Sequence, residues 1–153
     1  MTIALALLDT DTLSEVMKGR DPSVQQWARQ YLQAHRHFRF SILTRYEILR
    51  GLKAKQAIAQ IARFEQRCRT SHVLPLTDEI VVRAADLYAH LHQQGQLISD
   101  ADILIAATAL AHGLVLITEN TAHLSRVPDL TVERRSRGWD PLRKSAGEMK
   151  DER

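Results

Sequence analysis

Cysteine is nearly absent from this 153-residue chain, and Cys68 stands alone. That excludes an intramolecular disulfide and a structural zinc site built on several thiolates. It fits a reducing compartment, and cytoplasm is the expected location. Four prolines and six glycines are too few for a loop-dominated or collagen-like fold. No stretch approaches the roughly 18 apolar residues that span a bilayer, so no membrane segment is expected. The apolar run from Ile3 to Leu8 has no basic region before it and no small-residue cleavage pattern directly after it. A secretory signal is therefore not expected. What is present is ordinary for a soluble domain: 44% hydrophobic and 25% charged residues. A chain of this length forms one domain and buries around two-thirds of its unfolded surface.

The formal charge is +3, and arginine outnumbers lysine 16 to 5. Arginine's planar fork suits bidentate contact with phosphate; the plainer reading is an arginine-rich genome. Two clusters stand out, Arg63, Arg67 and Arg69 in the middle and Arg134, Arg135 and Arg137 near the end.

Apolar patterning predicts strands at Ile3–Leu8, Phe38–Ile42, Val73–Leu76, Leu114–Ile117 and Leu130–Glu133. Between them lie helical stretches. A short helix is capped by Thr10 or Asp11 and ends near Gly19, and a second begins at Asp21-Pro22, with proline at the favoured first position. A third starts at Leu43-Thr44 and a fourth spans about Lys55–Arg67. Asp78 caps a long fifth, Ser99 caps a strongly apolar sixth, and Thr121–Leu124 makes one last turn. Strands alternating with helices predict an α/β fold, three layers around a mostly parallel sheet. The most continuously apolar strands, Ala4–Leu8 and Val115–Ile117, are expected to be central and adjacent. Residues 1–138 form the domain in this reading, and residues 139–153 are a polar, charged tail expected to be disordered.

Three acids stand at similar junctions. Asp9 ends the first strand. Glu47 lies one turn into the helix after the second, and Asp102 one turn into the apolar helix. Ligand sites in open parallel sheets form outside the carboxyl ends of the strands. Each acid also has a structural explanation. Thr44-x-x-Glu47 and Ser99-x-x-Asp102 resemble capping boxes, and Asp9 or Asp11 could cap the following helix. The apolar sequence after Asp102, however, predicts a buried helix. A buried carboxylate costs several kcal/mol unless something pairs with it. Converging carboxylates repel one another unless hard cations such as Mg²⁺ or Mn²⁺ join them, and carboxylate-held metals suit phosphodiester hydrolysis.

Four stretches then carry a resemblance. They are Leu7-Leu8-Asp9-Thr10-Asp11; Ser41 to Gly51 around Glu47; Asp102-Ile103-Leu104-Ile105-Ala106-Ala107-Thr108-Ala109; and Leu116-Ile117-Thr118-Glu119-Asn120 followed by His123-Leu124. In this order and at these spacings the chain resembles PIN-domain ribonucleases, specifically the VapC toxins of bacterial toxin–antitoxin pairs. The resemblance implies a metal-dependent endoribonuclease with Asp9, Glu47 and Asp102 as metal ligands. It implies RNA as substrate, a small antitoxin as partner and a homodimer. The family often has a fourth acid after the last central strand. Here Asn120 stands there with Glu119 beside it, and Asn120 is carried as a further site residue. Asp11 stands where the family often has Asn. Asp100, about 200° around the helix from Asp102, is expected to point to solvent. Apolar residues at Ile48, Leu49, Leu52, Ile58 and Ile61 exceed what one core face needs. They are expected to help form a groove for an antitoxin helix.

Two other classes compete. Asp9-x-Asp11 after an apolar strand also resembles the opening motif of haloacid-dehalogenase-like phosphatases, with Asp9 as nucleophile. That chemistry needs a lysine between its two acidic motifs, and Lys53 and Lys55 lie early, on a helical stretch; it also gives Glu47 no role. The non-enzymatic alternative is a catalytically weak, PIN-like scaffold that binds a partner without cutting. The histidines at i,i+2 spacing, His35/His37 and His90/His92, do not share a helix face and point to no metal site.

Overall fold

The computed structural model describes residues 3–135; the expected tail, residues 139–153, and the end of the domain at 138 lie outside them. Among the described residues there are five short strands, with seven helices between them. They run β1 (Ala6–Leu8), α1 (Thr10–Lys18), α2 (Pro22–His35), β2 (Arg39–Ser41), α3 (Ile42–Ala54) and α4 (Ile58–Arg69). Then follow β3 (His72–Leu74), α5 (Asp78–Gln93), α6 (Asp100–His112), β4 (Val115–Ile117), α7 (Thr121–Leu124) and β5 (Val132–Glu133). Every strand pairing is parallel. One ladder runs β1-β4-β5, with Leu7 opposite Leu116 and Leu116 opposite Val132; the other pairs β2 with β3. β2 packs beside β1 and brings the two ladders together. The expected adjacency of the first and fourth strands is present.

Alternation along the strands builds the layers. Leu7 and Leu116 face one way, into a core with Ile80, Leu87 and Leu91 of α5 and Ile103, Ala106 and Ala107 of α6. Ala6, Leu8 and Ile117 face the other way, into a core with Leu13 of α1, Trp27 and Tyr31 of α2 and Phe64 of α4. The result is the three-layer α/β/α arrangement. Tyr31 ties α2 to the sheet edge. Its hydroxyl accepts from the Ala6 amide and donates to the Ala6 carbonyl, both at 3.1 Å. Trp27 lies 5.4 Å from Tyr31, ring centre to ring centre, in the same core. Replacing so large a buried ring by alanine costs about 3–5 kcal/mol.

Several boundaries differ from the sequence expectation, each for a local reason. Ser41 caps α3 by accepting from the Leu43 amide at 3.0 Å, so the helix begins at Ile42, before Thr44. Asp9 caps α1 through the Thr12 amide, and Thr77 caps α5. β3 ends at Leu74, just before Pro75, which cannot donate to a ladder. Gly113, at φ 64°, takes the left-handed conformation that ends α6 and turns the chain into β4.

Candidate active site

The loops that follow β1, β2, β4 and β5 meet at one edge of the sheet. The Thr10 hydroxyl, just after β1, lies 3.1 Å from that of Thr44, in the first turn of α3. The Thr118 amide, just after β4, donates to the carbonyl of Glu133 at the end of β5. The candidate residues sit in this row.

Asp9 is buried, with 6% of its surface exposed. Its amide continues the ladder to the Ile117 carbonyl at 3.1 Å, and its Oδ1 accepts from the Thr12 amide at 2.9 Å. Hydroxyl bonds from Thr118 and Thr12 favour its charged form. Burial outweighs them, and the nearby Asp11 carboxylate adds repulsion, so the Asp9 carboxyl is pushed up from its ordinary 3.8. Its partners are neutral. Among the described residues no cationic side chain is one of them.

Glu47 is half-buried. Its Oε1 accepts from the Thr10 hydroxyl at 2.7 Å, and Arg50 approaches its Oε2 at 3.8 Å from one turn further along α3. The expected Thr44–Glu47 capping box is absent: Thr44 lies inside the helix, buried and turned toward Thr10. Asp102 is half-buried in the first turn of α6. Its amide completes the Ser99 cap at 3.2 Å, while its carboxylate Oδ2 accepts from the Asn120 amide group at 3.4 Å. Asn120 itself caps α7 without a side-chain bond. Its backbone amide donates to the Thr118 hydroxyl at 3.0 Å, and its Nδ2 lies 3.1 Å from His123 Nδ1.

Thr118 thus stands between Asp9 and the Asn120 backbone, the Asn120 side chain meets Asp102, and Thr10, next to Asp9, holds Glu47. The carboxylates and hydroxyls in this row are oxygen donors, the kind hard divalent ions prefer, while Asn120 presents its Nδ2 to Asp102. Among the described residues, no three Asp, Glu, His or Cys side chains stand close enough to hold one ion together. Asp11 and Asp100 are exposed. Glu119 is drawn the other way: its Oε1 accepts from the Arg135 amide at 3.1 Å and its Oε2 faces Arg134 Nε at 3.6 Å. The threonines are what sequence reading largely missed. Thr10, Thr12 and Thr44 resemble ordinary helix-start residues, and only the pairing of distant loops reveals what they touch.

The PIN domain family model matches residues 6–130. This chain is a PIN domain. It is 32% identical over 126 residues to "VapC ribonuclease Y4jK" of Sinorhizobium fredii, a match covering 77% of this chain and 89% of that protein. It therefore belongs to the VapC branch of PIN domains. "Ribonuclease VapC1" of Methanocaldococcus jannaschii is 29% identical over 89 residues, and that match covers 58% of this chain and 63% of that protein. Among solved structures, VapBC-1 from nontypeable Haemophilus influenzae superposes with a TM-score of 0.71 at 27% identity. The superposition covers 86% of this chain and 98% of that one. Membership of the PIN family speaks against the phosphatase alternative, whose would-be acid–base, Asp11, is exposed in the first turn of α1. Among the described residues no helix is long and apolar enough to cross a membrane.

Proposed function

We propose that this PIN domain is a divalent-metal-dependent endoribonuclease and the toxin of a toxin–antitoxin pair, with Asp9, Glu47 and Asp102 holding Mg²⁺ or Mn²⁺. Relatives named ribonucleases support the activity, and solved toxin–antitoxin complexes of the same fold support the partner. The observation that carries the metal is Asp9, a buried carboxylate raised by burial and met only by hydroxyls and one amide. A hard cation fits that donor set.

When bound, such an ion supplies a nucleophilic water at neutral pH and positive charge beside the leaving oxygen. The chain's own residues do the rest. Thr12 and Thr118 fix the Asp9 carboxylate, and Thr10 fixes Glu47. Asn120 orients Asp102 by donating to its carboxylate. Arginines around the edge engage the RNA backbone.

The antitoxin has a candidate seat. A pocket of about 190 Å³ between α1, α3 and α4 has an apolar lining that includes Met17, Ile48, Leu52 and Phe64, with Lys18, Arg20, Lys55 and Arg63 around it. An amphipathic helix with acidic residues beside its apolar face matches that chemistry. Co-expression with a small neighbouring protein should yield a stable complex, and clean separation of the two at micromolar concentration contradicts the pairing. A homodimer is part of the same proposal.

One observation favours a second reading, a PIN-like scaffold that binds without cutting: the acids are not gathered around a single point. Cleavage of RNA by the purified chain, with and without Mg²⁺ or Mn²⁺, separates the two. Metal-stimulated cleavage supports the nuclease. Intact RNA at every metal concentration supports the scaffold.

A further inference from the structure

The arginines of this chain are not equivalent. Arg45 is spent on Glu65, which it meets with two bonds at 3.0 and 3.2 Å between α3 and α4. Arg135 turns its guanidinium inward to Glu133 and is nearly buried. Arg69 ends α4 just before β3 and bonds Gln66 at 2.8 Å. That places it at the edge where strands begin, opposite the acids.

Arg134 differs from all of these. It follows β5 directly, at the edge where the strands end. Its side chain is half-exposed, yet it is held at two points: Nε faces Glu119 Oε2 at 3.6 Å, and Nη2 donates to the Thr121 hydroxyl at 2.8 Å. Glu119 and Thr121 flank Asn120, whose side chain bonds Asp102. The guanidinium is therefore pinned one residue from the candidate site. Among the described residues nothing is bonded to its Nη1. An exposed arginine gains little from an ion pair alone, since screening and side-chain entropy offset it. A guanidinium immobilised in advance loses less freedom when a phosphate arrives, and its planar fork suits phosphate oxygens.

We propose that Arg134 is a phosphate-docking residue that binds the RNA backbone beside the scissile bond, with Glu119 and Thr121 as its positioning residues. The inference rests on the ribonuclease reading above and adds a named subsite to it. Arg134 binds one phosphate, sets the register of the strand across Asp9 and Asp102, and takes no part in proton transfer. Glu119 is thereby assigned to hold an arginine instead of a metal.

Binding measured without cleavage tests this. A fluorescently labelled, short single-stranded RNA is titrated with the full chain in EDTA at several salt concentrations. Arg134→Gln should bind roughly three- to tenfold more weakly at low salt, and its log–log salt slope should be shallower by about 0.7, one phosphate contact on a single strand. Arg134→Lys should keep the slope and lose part of the affinity, because the charge remains and the two-point anchor does not. Arg69→Gln, at the far edge, should leave the slope unchanged. All melting temperatures should match wild type closely. With metal present, Arg134→Gln should raise KM more than it lowers kcat. Wild-type affinity and slope in Arg134→Gln, or an equal loss in Arg69→Gln, overturns the proposal alone. No RNA binding by the wild-type chain overturns the ribonuclease reading and this inference with it.

Discussion

Asp9 and Glu119 stand just past neighbouring parallel strands, β1 and β4, and meet opposite fates. Glu119 accepts from the Arg135 amide and faces the Arg134 guanidinium, so its charge is answered by the chain itself. Asp9 is buried among hydroxyls and one amide, and its carboxyl is pushed up by that burial. An acid beside a strand end is thus not one kind of residue. One closes a surface network; the other is met, among the described residues, by neutral hydrogen-bonding groups. The second kind is what a cation site needs.

The largest effects should come from removing charge at the second kind. Asp9→Asn and Asp102→Asn should each lower RNA cleavage at least about a hundredfold, in protein whose circular dichroism is unchanged. Full cleavage by Asp102→Asn would return that acid to its role in capping α6. Glu119→Gln should sharpen the contrast. It should lower cleavage only severalfold, through a loosened Arg134, and cost about 1 kcal/mol or less of stability.

The next effect is on stability and pH. A carboxyl with a folded pKa above its unfolded value binds its proton more tightly in the native state. As pH rises from the ordinary 3.8 through the raised value, the unfolded chain ionises first and the native state loses stability; above that window the penalty is constant. The metal-free wild type should therefore lose stability as pH rises above 3.8. Asp9→Asn should lack that component and melt higher than wild type at neutral pH. Chemical denaturation in EDTA at a series of pH values checks the sign, and a wild type and variant with parallel pH profiles would contradict it. Glu65 has the opposite sign. Its partner Arg45 holds its carboxyl down, so its small, solvent-screened contribution is present above its unfolded pKa and fades as pH falls.

Smaller still are the hydroxyls and the outward acids. Thr10→Val removes the hydroxyl that bonds Glu47 at 2.7 Å. It should cost about 1 kcal/mol and weaken Mn²⁺ affinity severalfold. Asp100→Asn should stay within about 0.5 kcal/mol and leave cleavage intact, since its side chain is exposed at the start of α6.

Much of this architecture is legible in the sequence because it depends on local periodicity. The apolar runs that become β1 and β4 are adjacent and parallel, the Ser99 cap and Gly113 stop bound α6, and Thr121–Leu124 is the short helix expected. Asp100 is outward as helix geometry requires. What was not legible depends on partners far along the chain. Both Ser41 and Thr44 can cap a helix, and only the contact of Thr44 with Thr10, 34 residues away, assigns the cap to Ser41. Glu119 and Asn120 are adjacent polar residues in the sequence. The fold sends one to Arg134, just after β5, and the other to Asp102, in the first turn of α6.

Mn²⁺ titration, by calorimetry, of wild type, Asp9→Asn and Glu119→Gln tests the central claim most directly, because it reads the cation site without requiring an RNA target. The account predicts that wild type and Glu119→Gln bind with similar affinity and that Asp9→Asn loses most of it. Wild-type Mn²⁺ affinity in well-folded Asp9→Asn, or its loss in Glu119→Gln instead, would contradict the assignment of the cation to the buried acid.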